Sequence, residues 1–366
     1  MPPINNTNIA KINEVELPVF QQEWWWSHDN HKGFRKVTVA QEDIVVGRLV
    51  YHESRKWIFF RAGLPPFWAH LSGPALSNGL TDHAARMVLD KLLAQLPRNR
   101  SLQFIDGPTS KHRDIIRDAF RRADFEHVIQ PTYSQGPNTP GTLQKLSRRH
   151  RAHLKKARCE LRIFDISAED FITFYAANLK GVVRRSAEPL GAAHKILRAA
   201  LQGPRPQARI LAAQRMRDAA PIGSFIPLEA AIACVWDHER YYIWMLTRRR
   251  ANRKTATRPH GDAVKLLILT AMDDAAQRGL VFDCDGATTP GARHLYGTIF
   301  RMPNLEQRDL FLRDTKPARF FKRHRTRFRN AIDSFCNRPV CAQADLAICI
   351  ILDRLNGFGM LLDVGQ

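Results

Sequence analysis

The segment YYIWMLTRRRANRKTATRPHGDAVKLLILTAMDDAAQRGLVFDCDG, residues 241–286, decides the fold, because its apolar spacing changes twice. Tyr241, Tyr242, Ile243, Trp244 and Met245 form a β-prone run. The loop behind it carries Arg248, Arg249, Arg250, Arg253, Lys254 and Arg258 and no acidic residue. Gly261 and Asp262 mark a helix start, Ala263 to Arg278 repeats apolar residues at helical spacing, Gly279 stops it, and Leu280, Val281 and Phe282 form a second strand. A helix N-terminus presents unpaired amides and positive dipole density, so a cationic loop leading into it suits a phosphate or diphosphate. The other reading is a solvated loop between two strands of an α/β sheet, since the segment is neither a P-loop nor a Gly-x-Gly-x-x-Gly fingerprint.

Working outward, strands and helices alternate on both sides. Before the segment come strand-like runs at 35–39, 44–52 and 56–60, a Pro/Gly-rich stretch at 63–79, a helix from His83 to Leu96 capped by Thr81 or Asp82, a strand 102–105, a helix 111–123 and a strand 126–129. Pro131 to Gly141 reads as a linker, followed by a basic helix from Thr142 to Arg158, a strand 160–164, helices after Ser167 and over 190–201, and strands 208–215 and 228–237 joined by a turn at Asp218–Pro221. After it, Ala292 to Ile299 reads as a helix and Glu306 to Leu312 as a strand. This predicts an α/β (α+β layered) fold of two similar halves, 1–135 and 136–330, each a mixed sheet flanked by helices, with 331–366 unassigned.

The chain has 366 residues, 44% apolar and 25% charged, which is globular composition with room for two cores. No run approaches the roughly 20 apolar residues of a membrane span. The polar stretch Met1–Lys11 lacks the apolar centre of a signal peptide, and six scattered cysteines form no Cys-x-x-Cys pair, so a reduced, cytoplasmic protein without a metal site is expected. The formal charge of +21 implies an acidic partner. It concentrates in the 248–258 loop, in 145–158 and in 316–329, three clusters able to converge in space or to serve as solubilising faces.

The run Leu146-Ser147-Arg148-Arg149-His150-Arg151-Ala152-His153-Leu154-Lys155-Lys156-Ala157 is similar to a Ser-x-x-x-Arg-x-x-hydrophobic-basic-basic-Ala helix of the FemAB-like, CelD/BcsL-type N-acyltransferases of the GNAT superfamily. Gly279, Phe282, Asp283 and Gly286 resemble the same family's apolar helix, Gly, strand and Phe-Asp-x-x-Gly signature. The chain departs from the family at Tyr296 and Arg301, where Phe-Lys-x-x-Phe-Gly places Lys and Gly. The resemblance implies two GNAT-like domains and acyl transfer from acetyl-CoA or another acyl-CoA to an amine, without a metal. The donor's diphosphate would rest at Arg258, His260, Gly261 and Asp262 with Arg250, Arg253 and Lys254 as counter-charges, and Trp244 to Thr247 would form a splayed strand. Arg151 and Trp244 are the substrate-side candidates.

Transfer to an amine needs a proton acceptor and a donor to the oxyanion. Asp283 and Asp285, two apart at the end of a core strand, share a face on an extended chain, and a close carboxylate pair splits its titrations. The competing reading has Asp283 capping a turn or pairing with an arginine. His294 and Tyr296 follow within reach, Tyr296 as a proton source for a departing thiolate; Cys284 lacks a His-Asp set. Two alternatives stand beside acyl-CoA chemistry: an aminoacyl-tRNA-dependent transferase, and a catalytically silent nucleic-acid binder using the basic clusters and Trp24 to Trp26 for stacking.

Overall fold

The computed structural model describes residues 11–27, 33–55, 61–139, 142–179, 187–203, 206–216, 227–251, 258–287 and 289–315. The strands are β1 (Phe34–Gln41), β2 (Ile44–Arg55), β3 (Arg61–Leu64), β4 (Ala75–Leu76), β5 (Ser101–Asp106), β6 (Glu126–Gln135), β7 (Leu161–Asp165), β8 (Ala208–Arg215), β9 (Leu228–Trp236), β10 (Arg240–Arg248), β11 (Val281–Asp283) and β12 (Asn304–Arg313). The helices are α1 (Glu23–Ser27), α2 (Asp82–Ala94), α3 (Arg113–Arg122), α4 (Thr142–Lys145), α5 (Arg148–Glu160), α6 (Ala168–Asn178), α7 (Ala187–Gln202), α8 (Ala263–Gln277) and α9 (Pro290–Arg293), the last running into a π-helical turn, His294–Ile299. The expected strand 56–60, the turn 218–221, the basic cluster 316–329 and the segment 331–366 lie outside the described residues.

The strands form one mixed sheet in the order β1-β2-β3-β5-β12-β6-β11-β10-β9-β8-β7, with β4 on β2, flanked by helices. Two copies of one pattern make it. In the first half, parallel β3 and β5 are joined through α2, and α3 leads to β6; in the second, parallel β10 and β11 are joined through α8, and α9 leads to β12. The halves then exchange their last strands: β12 pairs with β5, β6 pairs with β11, and β6 and β12 pair with each other, all antiparallel. The exchange makes the sheet continuous.

Each half has its own packing. Val46, Leu49, Leu89, Phe104, Phe120 and Phe311 build the first core between sheet, α2 and α3. In the second half, β9 is buried along nearly its whole length, as a strand covered on both faces must be. Leu266, Leu267, Met272, Ile232 and Phe282 pack on one face, and Phe171, Leu197, Tyr242 and Trp244 on the other. Trp25 and Phe20 join that second face from the start of the chain. Trp25 is 1% exposed, so it fills the core and offers no stacking surface.

Two sequence expectations change. The linker over 131–141 is half strand: β6 runs through Pro131 to Gln135, because its polar residues find partners across the sheet, Thr132 donating to Asp283 at 2.6 Å and Ser134 to Glu306 at 2.6 Å. The helix expected over 142–158 is two, α4 and α5. The break falls where the Ser147 hydroxyl accepts the His150 amide and caps α5.

Candidate active site

Strands β10 and β11 pair over three residues, Arg240 with Val281, Tyr241 with Phe282 and Tyr242 with Asp283, and there β11 ends. β10 continues to Arg248, and its register against β9 slips between Ile243 and Met245, leaving Trp244 as an extra bulged residue. A bulge bends and twists its strand, so β10 turns away where its parallel partner stops. This is the carboxyl end of a parallel pair, the place where α/β sheets hold ligands.

Past β10 the chain reaches the mouth of α8. Arg250 donates its amide to Asn178 at 2.9 Å, while Nε and Nη2 of its guanidinium are buried without a hydrogen-bond partner. The neighbouring arginines are engaged. Arg215 and Arg249 converge on buried Glu229 at 2.8 and 3.0 Å, and both donate to the Arg258 carbonyl. Arg258 itself is exposed, and Gly261 is exposed beside it. His260 is fixed by its amide on Glu229 and its Nε2 on Glu160 at 2.9 Å.

The mouth holds an anion of its own. Asp262 caps α8 without a side-chain bond to the helix amides and instead takes the Lys265 side chain at 2.6 Å, with His153 of α5 at 3.7 Å. Burial pushes the Asp262 carboxyl up, and the Lys265 hydrogen bond and charge outweigh it and hold the group below its ordinary range. The amides of the first turn have no acceptor within the helix. The loop expected to clamp a diphosphate thus divides: Arg250 keeps an unsatisfied guanidinium, Arg258 contributes its carbonyl to the Arg215 and Arg249 network, and Arg253 and Lys254 lie outside the described residues. Thr247 is half-buried one residue before β10 ends.

α5 packs against α8. Leu154 and Ala157 are its buried side chains, and Arg148, Arg149, Arg151, Lys155, Lys156 and Arg158 are exposed. Burial, followed by the charges of Lys265, His153 and Arg149, holds the His150 imidazole below its ordinary pKa. A second basic cluster therefore meets the α8 mouth.

Asp283 and Asp285 come together, though not as a free carboxylate pair on one strand face. β11 ends at Asp283, Asp285 adopts φ 58°, and the Asp283 carboxylate accepts the Asp285 amide at 2.8 Å. Arg240 and Arg308 each reach Asp283 at 3.1 Å; Arg308 also binds Asp285, which lies against His70. Both carboxylates are wholly buried. Burial, reinforced by the Arg308 charge, drives the His70 imidazole down to about 3, so it stays neutral. The turn-and-arginine reading of Asp283 is the one the geometry bears out. Its partners Arg240, Arg308 and Thr132 escaped the sequence reading; an arginine opening the apolar run of β10 was the available signal.

Tyr296 is 5% exposed within the π-helical turn, and burial pushes its phenol well above the ordinary value, which leaves it a reluctant proton source. His294, at the start of that turn, is exposed. Cys284 is buried, with its thiol pushed up to about 11 and accepting the Tyr133 amide. Trp244 is 3% exposed. Its indole packs edge-on to Trp25 at 5.1 Å and donates to the Trp68 carbonyl at 2.8 Å, because the bulge rotates it into the aromatic core. Among the described residues, no group of His, Cys, Asp and Glu side chains could hold a metal, and no helix is long and apolar enough to cross a membrane.

The sequence matches no protein-family model and no curated protein. Solved structures do resemble it. The crystal structure of FemX aligns with a TM-score of 0.54 at 10% identity, over 80% of this chain and 91% of that one. A tandem GNAT protein from the clavulanic acid biosynthesis pathway aligns at 0.44 and 9%, over 77% and 83%. The C-terminal domain of a lysylphosphatidylglycerol synthetase from Agrobacterium fabrum aligns at 0.42 and 10%, over 80% and 87%. With its exchanged halves and parted parallel strands, the chain shares the fold of FemX over 80% of its length.

Proposed function

We propose that this protein is an N-acyltransferase taking its acyl group from acetyl-CoA or another acyl-CoA and passing it to an amine. One observation carries the donor assignment: the Arg250 guanidinium, two residues past the end of β10, has two buried nitrogens without partners. A diphosphate supplies the acceptor oxygens that such a group lacks, and the first-turn amides of α8 add donors. The thioester arm would follow β10 past its bulge toward the point where β10 and β11 meet, and the thioester supplies an activated acyl carbon. The basic side chains of α5, Arg151 among them, would draw the polyanionic donor in from solvent.

The test is a melting curve with acetyl-CoA. The expected result is a rise in Tm that vanishes in Arg250→Ala, whose amide bond to Asn178 is main chain and survives the change. No rise with the intact protein, or an equal rise in the variant, would sink the donor assignment.

The exposed cations of α5 favour one second reading, aminoacyl-tRNA as donor, in keeping with the resemblance to FemAB-like proteins. That reading requires tRNA binding whose logarithm falls steeply with the logarithm of salt. A flat response excludes it, and with it the silent nucleic-acid binder.

A further inference from the structure

Between the two halves of the molecule lies a cavity of about 600 Å³ that the donor reading does not use. That size falls in the range of small-ligand pockets. It lies at the carboxyl end of β5, between the loop leading into α3, the turn joining β9 and β10, and the segments around residues 16–21 and 71–78. Most charged groups on its wall are already matched. Lys111 donates to the Asn78 carbonyl at 2.6 Å, and Glu16 takes the Asn78 side chain. Asp237 accepts the amides of Val19, Glu239 and Arg240 and the Tyr242 hydroxyl.

Two acceptor groups are not. Asp106 is 2% exposed and its Oδ2 has no hydrogen-bond partner; His112 is 5% exposed and its Nε2 has none. The Asp82 carboxylate, 3.2 Å from His112 Nδ1, accepts a hydrogen bond from the neutral ring only in its Nδ1–H tautomer, in which Nε2 is a lone-pair acceptor. Asp106 also stands directly opposite Asp309 in the β5–β12 ladder. There Arg113, Arg117 and His127 all serve Asp309, which explains why Asp106 is left over. A third orphan on the wall, Arg240 Nε, is a donor.

From this arrangement we infer that the cavity is a binding site for a small molecule presenting a primary ammonium, held by Asp106 and His112, with an acceptor atom of the same molecule on Arg240. An ammonium supplies three donors and a positive charge, and both acceptors need donors. Burial, reinforced by the Asp309 charge, pushes the Asp106 carboxyl up to about 7, the state expected of a carboxylate missing its cation. The assignment is independent of the donor reading and survives its failure.

Calorimetric titration of the full chain tests it with ethanolamine and glycinamide as probes and with succinate and inorganic phosphate as anionic controls. At least one amine should bind at one site per chain, and Asp106→Asn should weaken it about tenfold or more, with a smaller loss in His112→Gln. Absence of amine binding up to about 10 mM, unchanged affinity in both variants, or a preference for either anion would overturn the assignment. Should Asp106→Asn fail to fold, His112→Gln carries the same criterion alone.

Discussion

Asp106 closes β5 in the first half of the sheet and Asp283 closes β11 in the second, each at the carboxyl end of a strand whose parallel neighbour lies one helix earlier in the chain. Their surroundings are opposite. Asp283 is clasped by Arg240 and Arg308 and takes Thr132 besides, whereas Asp106 faces another carboxylate and keeps one oxygen bare. The same topological position is thus a structural rivet in one half and an unfilled acceptor in the other. The exchange of strands produces the asymmetry: consecutive residues of β12 meet the two aspartates with opposite charges, Arg308 reaching Asp283 and Asp309 standing opposite Asp106.

The largest effect should come from breaking the rivet. Asp283→Ala leaves two buried guanidinium groups facing each other, and removal of one side of a buried ion pair typically costs about 3–5 kcal/mol. Urea unfolding should show a loss of that order. A loss below about 1 kcal/mol would mean that the cluster is solvated and the contrast with Asp106 is false.

Replacing the other aspartate should act in the opposite direction. Folding raises the Asp106 pKa from 3.8 to about 7, with burial as the chief cause, Asp309 adding to it and the Ser110 hydrogen bond and the Arg113 charge opposing it. The protonated carboxyl therefore contributes stability in full below pH 3.8, and that contribution is lost as pH rises toward 7. Asp106→Asn keeps the group neutral throughout, so its advantage over the natural residue grows between those limits and reaches at most about 4 kcal/mol above them. Melting temperatures at about pH 5 and pH 8 would read this, with the larger gain at the higher pH. A variant less stable at both would mean that Asp106 Oδ2, too, has an internal partner and the two halves are alike.

Much of this architecture was legible from residues 241–286, because there the apolar period itself changes and Gly279, with φ 71°, can end a helix at no steric cost. Ser167 and Thr81 likewise announced caps that the structure bears out, at Asp170 and Ala84. The partners of the strand-end aspartates were illegible for a physical reason: Arg308 lies 25 residues from Asp283, Thr132 lies 151, and only the exchange of β6 and β12 brings them together. β6 was misread by the same cause, since Pro131, Thr132 and Ser134 have loop composition and earn their places through tertiary partners. Asp106 carried no local mark beyond ending a strand before Gly107 and Pro108.

α5 belongs to the second half of the comparison only, for among the described residues no basic helix occupies the matching place before β1, and the smallest expected effect tests what it does there. The Ser147 hydroxyl accepts the His150 amide at 3.3 Å and lies 2.9 Å from His150 Nδ1, so one side chain fixes both the first turn of α5 and an imidazole near Lys265. Ser147→Ala should lower the unfolding free energy by about 1 kcal/mol, the ordinary worth of an N-cap. If α5 serves the donor site through its position, the same variant should also weaken the acetyl-CoA melting shift, by less than Arg250→Ala does. A stability loss with the full shift retained would make α5 a cover for the sheet, and the second half would differ from the first in its arginines alone.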